Sequence, residues 1–177
     1  MRKYSTEELG RPDVATYLEQ PKLPVTIVLD NVRSALNVGS AFRSSDAFAV
    51  DGIVLCGISA TPPHREIAKT ALGATETVAW KYFADTAEAI AALRAEGRQI
   101  WVIEQAEGST ALQDFIPQPD ARYALVFGNE VHGVDEAWLE QAQGALEIPQ
   151  WGAKHSLNVS VCVGVVLWEM VRKIKFA

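Results

Sequence analysis

From residue 25 onward the chain alternates between short apolar, β-branched runs and longer stretches whose apolar positions recur at helical spacing. The short runs fall at 25–30, 52–56, 77–82, 99–104, 123–127 and 145–148, all of strand length. Helical character occupies 40–48, 65–71, 85–96, 135–143 and 156–173, with a short helix expected around 13–20. Asp85 with Glu88 three residues on forms a helix-start signature, and Gly97 stands where a left-handed residue ends that helix. Strands interleaved with helices predict an α/β domain on a mostly parallel six-stranded sheet. The runs 26–29 and 125–127 are apolar nearly throughout, as strands covered on both faces are. The last helix is apolar almost all round, which predicts deep packing. Residues 1–23 are polar and punctuated by Pro12 and Pro21, so they form an N-terminal extension before one domain, 24–177.

In such a sheet, ligands collect in the loops beyond the carboxyl ends of the strands. Three loops there carry unusual chemistry. The first, 31–43, contains Asn31, Arg33, Asn37, Gly39 and Arg43. A plain turn accounts for each residue singly, with amides satisfying the backbone and Arg43 pairing with Asp46. It accounts less well for two arginines bracketing two amides beside a crevice. The second, 128–133, sets Glu130 between Gly128 and Gly133. That carboxylate either caps the helix starting near Asp135 or faces a ligand that Gly128 lets approach. The third, 148–160, runs from Ile148 and Pro149 through Ser156, Leu157 and Asn158 to Ser160. Ser156 reads as the cap of the last helix, which leaves Asn158 awkwardly inside it and in need of polar partners.

Composition changes this picture little, whereas charge adds a tension. At 177 residues, 49% hydrophobic and 21% charged, the chain is an ordinary globular one. The first ten residues carry no apolar core, so no secretory signal is expected, and the ten-residue apolar segment 159–168 is too short to span a membrane. A cytoplasmic location follows. Cys56 and Cys162 read as buried hydrophobes, and no spacing of cysteine and histidine suggests a metal. The net charge of −6 runs against nucleic-acid binding unless cations concentrate on one face.

Taken together, the three loops resemble the three motifs of the SpoU (TrmH-type) family of the SPOUT superfamily. The first is similar to its N-x-R-x3-N-x-G-x3-R pattern, the second to its G-N/Q-E-x-x-G turn, and the third to its I-P-x-x-G-x3-S-L-N-V-S stretch. The resemblance covers residues 24–173 and implies an α/β-knot fold, with the C-terminal segment threaded into a deep trefoil knot. It implies a homodimer with active sites at the subunit interface, for which the last helix, Trp138, Trp151 and Trp168 are candidate contacts. It implies S-adenosylmethionine as cofactor, bound by Glu104, Gly128, Ile148 and Leu157. The implied activity is methyl transfer to an RNA ribose 2'-hydroxyl, with Arg43, Asn37, Glu130, Ser156 and Asn158 as catalytic residues. The arginine is easier to see stabilising an alkoxide or gripping a phosphate than acting as a base, since its pKa lies above about 12. The favoured substrate is tRNA, with rRNA the alternative. RNA phosphates would be met by Arg2, Lys3, Arg11, Arg33, Arg65, Lys69 and Lys154. A non-catalytic RNA-binding module retaining the fold is the competing reading. A nucleotide-dependent oxidoreductase lacks its Gly-x-Gly-x-x-Gly turn, and a serine hydrolase lacks its Gly-x-Ser-x-Gly elbow.

Overall fold

The computed structural model describes residues 1–5 and 7–176. Its frame is one parallel sheet of β1 (Leu23–Asp30), β2 (Val50–Cys56), β3 (Trp80–Phe83), β4 (Arg98–Ile103), β5 (Thr110–Ala111), β6 (Arg122–Phe127) and β7 (Gly144–Glu147). The spatial order is β3-β2-β1-β6-β4-β7-β5, and every paired neighbour is parallel. The sheet therefore has seven strands rather than six. The extra one, β5, is two residues long and pairs only with β7, too short to leave any alternation in the sequence.

Around it lie α1 (Val14–Glu19), α2 (Ala35–Ala47), α3 (Arg65–Ala71), α4 (Ala74–Thr77), α5 (Thr86–Ala95), α6 (Glu136–Gln141) and α7 (Val159–Lys175). On one face Val25, Ile27 and Leu29 of β1 join Val38 and Phe42 of α2 and Val163, Leu167 and Met170 of α7. On the other, Val28, Ala124 and Val126 pack against Ile90 and Leu93 of α5 and Trp138 of α6. Helices on both faces keep β1 and β6 out of water, which is why those runs carry no polar alternation.

Several boundaries moved for local reasons. β1 begins at Leu23, two residues early, with its register shifting between Leu23 and Thr26 around Pro24, which has no N–H for a ladder. β3 starts at Trp80 rather than 77, because 74–77 closes a helical turn in which Thr77 donates to Asp46 at 2.5 Å. α2 begins at Ala35, five residues early, so Gly39 lies inside a helix and does not relax a turn. A Cβ there would strike the Ile67 carbonyl and the Thr70 hydroxyl, so Gly39 lets α2 and α3 meet at backbone distance.

α7 is not buried all round. Val163, Val166, Leu167 and Met170 are buried, whereas Val161, Val165 and Trp168 stand 52%, 40% and 53% exposed along the outer side. Trp138 is fully buried and is core, not interface. No helix among the described residues is long and apolar enough to cross a membrane.

Candidate functional site

The carboxyl ends of β1, β4, β6 and β7 open beneath the loops 31–34, 104–109, 128–135 and 148–158. Beneath the last three of these loops lies a cavity of about 580 Å³, within the usual range for a small-ligand site. Its walls include Ile103, Phe127, Leu146 and Leu157 as apolar surface and Glu104, Glu130 and Glu147 as carboxylates.

The loops are pinned to one another by amide side chains. Asn31 adopts a left-handed conformation (φ 53), which asparagine tolerates better than most residues. Its side chain donates to Asp30 Oδ1 at 2.9 Å and accepts from the Ile58 N–H at 3.1 Å. Asn129 Nδ2 donates to the Asn31 carbonyl at 2.7 Å, and Asn129 Oδ1 accepts from the N–H groups of Val131 and His132. The 128–133 turn then closes through paired Asn129–Gly133 backbone bonds of 2.9 Å. A Cβ on Gly128 would overlap the backbone of Gly133 and Val134, so glycine is required by the folding-back of this turn. Glu104 braces it from below, accepting from the Val134 N–H at 3.2 Å and the Gln105 N–H at 2.9 Å.

Glu130 does not cap the helix after Asp135; it lines the cavity and at the same time braces the first loop. Its carboxylate accepts from the Arg33 N–H (2.9 Å), the Ser34 N–H (3.1 Å) and Asn37 Nδ2 (3.1 Å), so it closes the start of α2 from 93 to 97 residues away. Burial pushes its pKa up, but these bonds outweigh that and hold it below the ordinary glutamate value. α6 is capped by Asp135 itself. Asn37 Oδ1 in turn accepts from Asn158 Nδ2 at 3.2 Å. Asn158, not Ser156, is the cap of α7, its Oδ1 accepting from the N–H groups of Ser160 and Val161. This resolves the awkwardness of an amide in that position, because Asn158 precedes the helix and is exposed. A continuous chain Glu130–Asn37–Asn158 thus joins all three motif segments.

Of the expected site residues, Glu104, Gly128, Ile148 and Leu157 all line the cavity, as do Glu130, Ser156 and Asn158. Asn37 meets them through its two hydrogen bonds. Arg43 is the exception: it is exposed, lies outside the cavity lining, and has no hydrogen-bond or ion-pair partner among the described residues. Its expected partner Asp46 is taken by Thr77.

Sequence reasoning missed Glu147, Gln150 and Cys162 in the lining. Cys162 is half-buried against the cavity rather than simply core, and burial together with the nearby Glu104 pushes its thiol up to about 12. The strand-end position of Glu147 was a usable signal; the facing of Cys162 was not, since it follows from where α7 starts.

Charge is segregated. Arg98, Arg122 and Lys81, near the opposite ends of the strands, are paired with Asp51 and Glu96 at 2.6–2.8 Å. Arg33, Arg65 and Lys154, on or next to the loop face, make no ion pair among the described residues, whereas Arg2 and Lys69 are already held by Glu8 and Glu66. The acidic total therefore coexists with unpaired cations in the loops, while the cavity lining itself carries glutamates and no arginine or lysine among the described residues.

A parallel sheet with an acid-lined cleft under its strand ends, built from three interlocked loops, defines an α/β protein of the SPOUT methyltransferase fold. The chain belongs to the SpoU rRNA Methylase family, whose model matches residues 24–168. It is 31% identical over 166 residues to the 23S rRNA (guanosine-2'-O-)-methyltransferase RlmB of Vibrio cholerae, covering 94% of this chain and 66% of that protein. The chain thus spans just under two thirds of that relative's length. Among solved structures, the AdoMet-bound rRNA methyltransferase from Sinorhizobium meliloti superposes with a TM-score of 0.79 at 27% identity, over 93% of this chain and 61% of the other. The A. aeolicus TrmH/SpoU tRNA modifying enzyme superposes at 0.78 over 90% of this chain and 80% of its own, and at 24% identity it supports the fold alone.

Proposed function

We propose that this chain is an S-adenosylmethionine-dependent methyltransferase acting on the ribose 2'-hydroxyl of RNA, a cytoplasmic enzyme whose residues 24–177 form the catalytic domain and 1–23 an extension. The observation that carries the reading is the Glu130–Asn37–Asn158 chain, which ties three distant motifs together beside a single cavity that Glu130 and Asn158 line. The cavity suits the cofactor: apolar walls for its adenine, carboxylates to balance its positive charge, and a tightly folded 128–133 turn, permitted by Gly128, that forms part of its lining. Glu104, Gly128, Ile148 and Leu157 would hold it. When bound, the cofactor supplies an electrophilic methyl group.

A ribose hydroxyl is a weak acid, and its attack requires a group that stabilises the developing alkoxide. Glu130 accepts three hydrogen bonds from the start of α2 and Asn37, so its contribution is to fix Asn37 beside the cavity. Asn37, Ser156 and Asn158 offer neutral polar groups at the rim for orienting the ribose. Arg43 supplies the cation. Because it lies away from the cavity in one chain, the reading includes a homodimer in which Arg43 of a second copy completes the site. The exposed Val161, Val165 and Trp168 stripe on α7 offers apolar surface for that association.

The names of the curated relatives move the substrate from the expected tRNA toward rRNA, and RlmB is named for 23S rRNA. Incubating the protein with radiolabelled adenosylmethionine and rRNA or tRNA, then digesting to nucleosides, tests the whole reading. Label in 2'-O-methylated nucleosides from rRNA is expected, and Arg43→Ala abolishes it while calorimetry shows cofactor affinity retained. Loss of cofactor binding as the primary defect of Arg43→Ala would refute its role. Full retention of RNA binding without cofactor binding or methyl transfer by the parent would favour the non-catalytic module instead.

A further inference from the structure

The loop 148–158 contains a side chain that the proposed chemistry does not use. Trp151 is 93% exposed. Among the described residues it makes no hydrogen bond and no aromatic contact, unlike Trp168, which leans on Phe48 and Phe176. Presenting an indole to water is unfavourable, so its burial awaits a partner. It is not a cofactor contact, because Gln150 before it and Ser156 after it line the cavity while Trp151 does not.

The loop is nonetheless anchored. It leaves β7 directly, Gln105 Nε2 holds the His155 carbonyl at 2.8 Å, and Asn158 fixes its far end to α7 and Asn37. A stiffly rooted aromatic at the rim of a reaction cavity meets what approaches that rim from outside. Three residues on in the same loop, Lys154 carries a positive charge with no ion-pair partner among the described residues. A flat apolar surface beside free positive charge fits unstacked RNA, whose bases need an aromatic face and whose phosphates need cations. A second copy of the chain would find better complementarity on the apolar α7 stripe than beside Lys154.

We propose that Trp151 stacks on a nucleobase of the RNA next to the methylated ribose, with Lys154 on the adjoining phosphate. The inference rests on the methyltransferase reading above. The test measures filter binding of a 23S rRNA transcript, its salt dependence, and adenosylmethionine affinity by calorimetry, for the parent protein and three variants. Trp151→Ala weakens RNA binding about tenfold or more, since base stacking is lost, and leaves the salt slope and cofactor affinity unchanged. Trp151→Phe stays within about threefold, because phenylalanine still stacks. Lys154→Ala lowers the salt slope by about one, the mark of a lost phosphate contact. RNA affinity of Trp151→Ala equal to that of a methylating parent overturns this inference and leaves the enzyme reading standing. A shift of Trp151→Ala toward monomer in sedimentation assigns the indole to a second copy and also overturns it. A parent protein that binds neither RNA nor adenosylmethionine brings down both.

Discussion

Truncating Glu130 to alanine isolates the contact on which the site's assembly depends. In the structure this carboxylate closes the first turn of α2 through the Arg33 and Ser34 N–H groups and tethers Asn37. Losing a helix-terminal acceptor costs about 1 kcal/mol. Losing a negative charge at a helix start costs a further ~0.3–1 kcal/mol. The orphaned Asn37 bond is worth about 1 kcal/mol, but its donor regains water. Because Glu130 is exposed and screened, the low end of each value applies, which gives about 2 kcal/mol in total. For a chain of this size that lowers the melting temperature by about 4–8 °C. Glu130→Gln keeps an acceptor oxygen and loses roughly half as much. The assay is thermal unfolding followed by circular dichroism, run as a double-mutant cycle with Asn37→Ala. The two substitutions share one bond, so their effects should fall short of additivity by about 0.5–1.5 kcal/mol. Additivity within about 0.3 kcal/mol, or a Glu130→Ala melting point equal to the parent's, refutes the claim that this bond joins the loops. The pH dependence carries an independent sign. Glu130 has a folded pKa held below its unfolded value, so its stabilisation is full above about pH 4.3 and is lost as pH falls through the lower folded value.

Gly128→Ala forces a Cβ into the backbone of Gly133 and Val134, so the turn must open, costing about 1–3 kcal/mol. Adenosylmethionine affinity measured by calorimetry should fall with it, and an unaltered affinity removes Gly128 from the pocket. Asp30 behaves oppositely to Glu130: burial at 1% exposure drives its pKa up, and the Asp135 and Asn31 hydrogen bonds offset this only in part. Its contribution is therefore full below its unfolded pKa of about 3.9 and declines as pH rises through the higher folded value. Asp30→Asn should flatten that part of the stability–pH curve, and an unchanged slope in acid-range denaturant titrations counts against it. Val165→Glu places a charge in the exposed α7 stripe with little effect on the single chain, and sedimentation velocity should show the dimer dissociating; a Val165→Glu protein that remains dimeric moves the interface elsewhere.

The nearly all-apolar runs at 26–29 and 125–127 determined by themselves that β1 and β6 are covered on both faces, because a strand with one face in water alternates apolar with polar residues. Motif spacing picked out three loops that the structure brings together at one edge, since strand ends of a parallel sheet share it. Helix starts were another matter. Ser34 and Asn158 cap α2 and α7 through bonds to N–H groups two or three residues on, where the sequence alone pointed to 40 and 156. Several serines and asparagines nearby could each have capped, and the tertiary partners of these two decide between them. Glu130 satisfies α2 from 93 to 97 residues away, and Asn37 receives the Asn158 side chain from 121 residues away. Such pairings are decided by tertiary packing, and they make the cavity-lining Glu130 also the brace of another loop. The placement of Arg43 outside the cavity was equally invisible, since helical phase fixes which side of α2 it occupies but not where that side faces. Local pattern sets element type through short-range sterics and burial periodicity; the partner of a charged or amide side chain is a long-range fact that only the folded chain supplies.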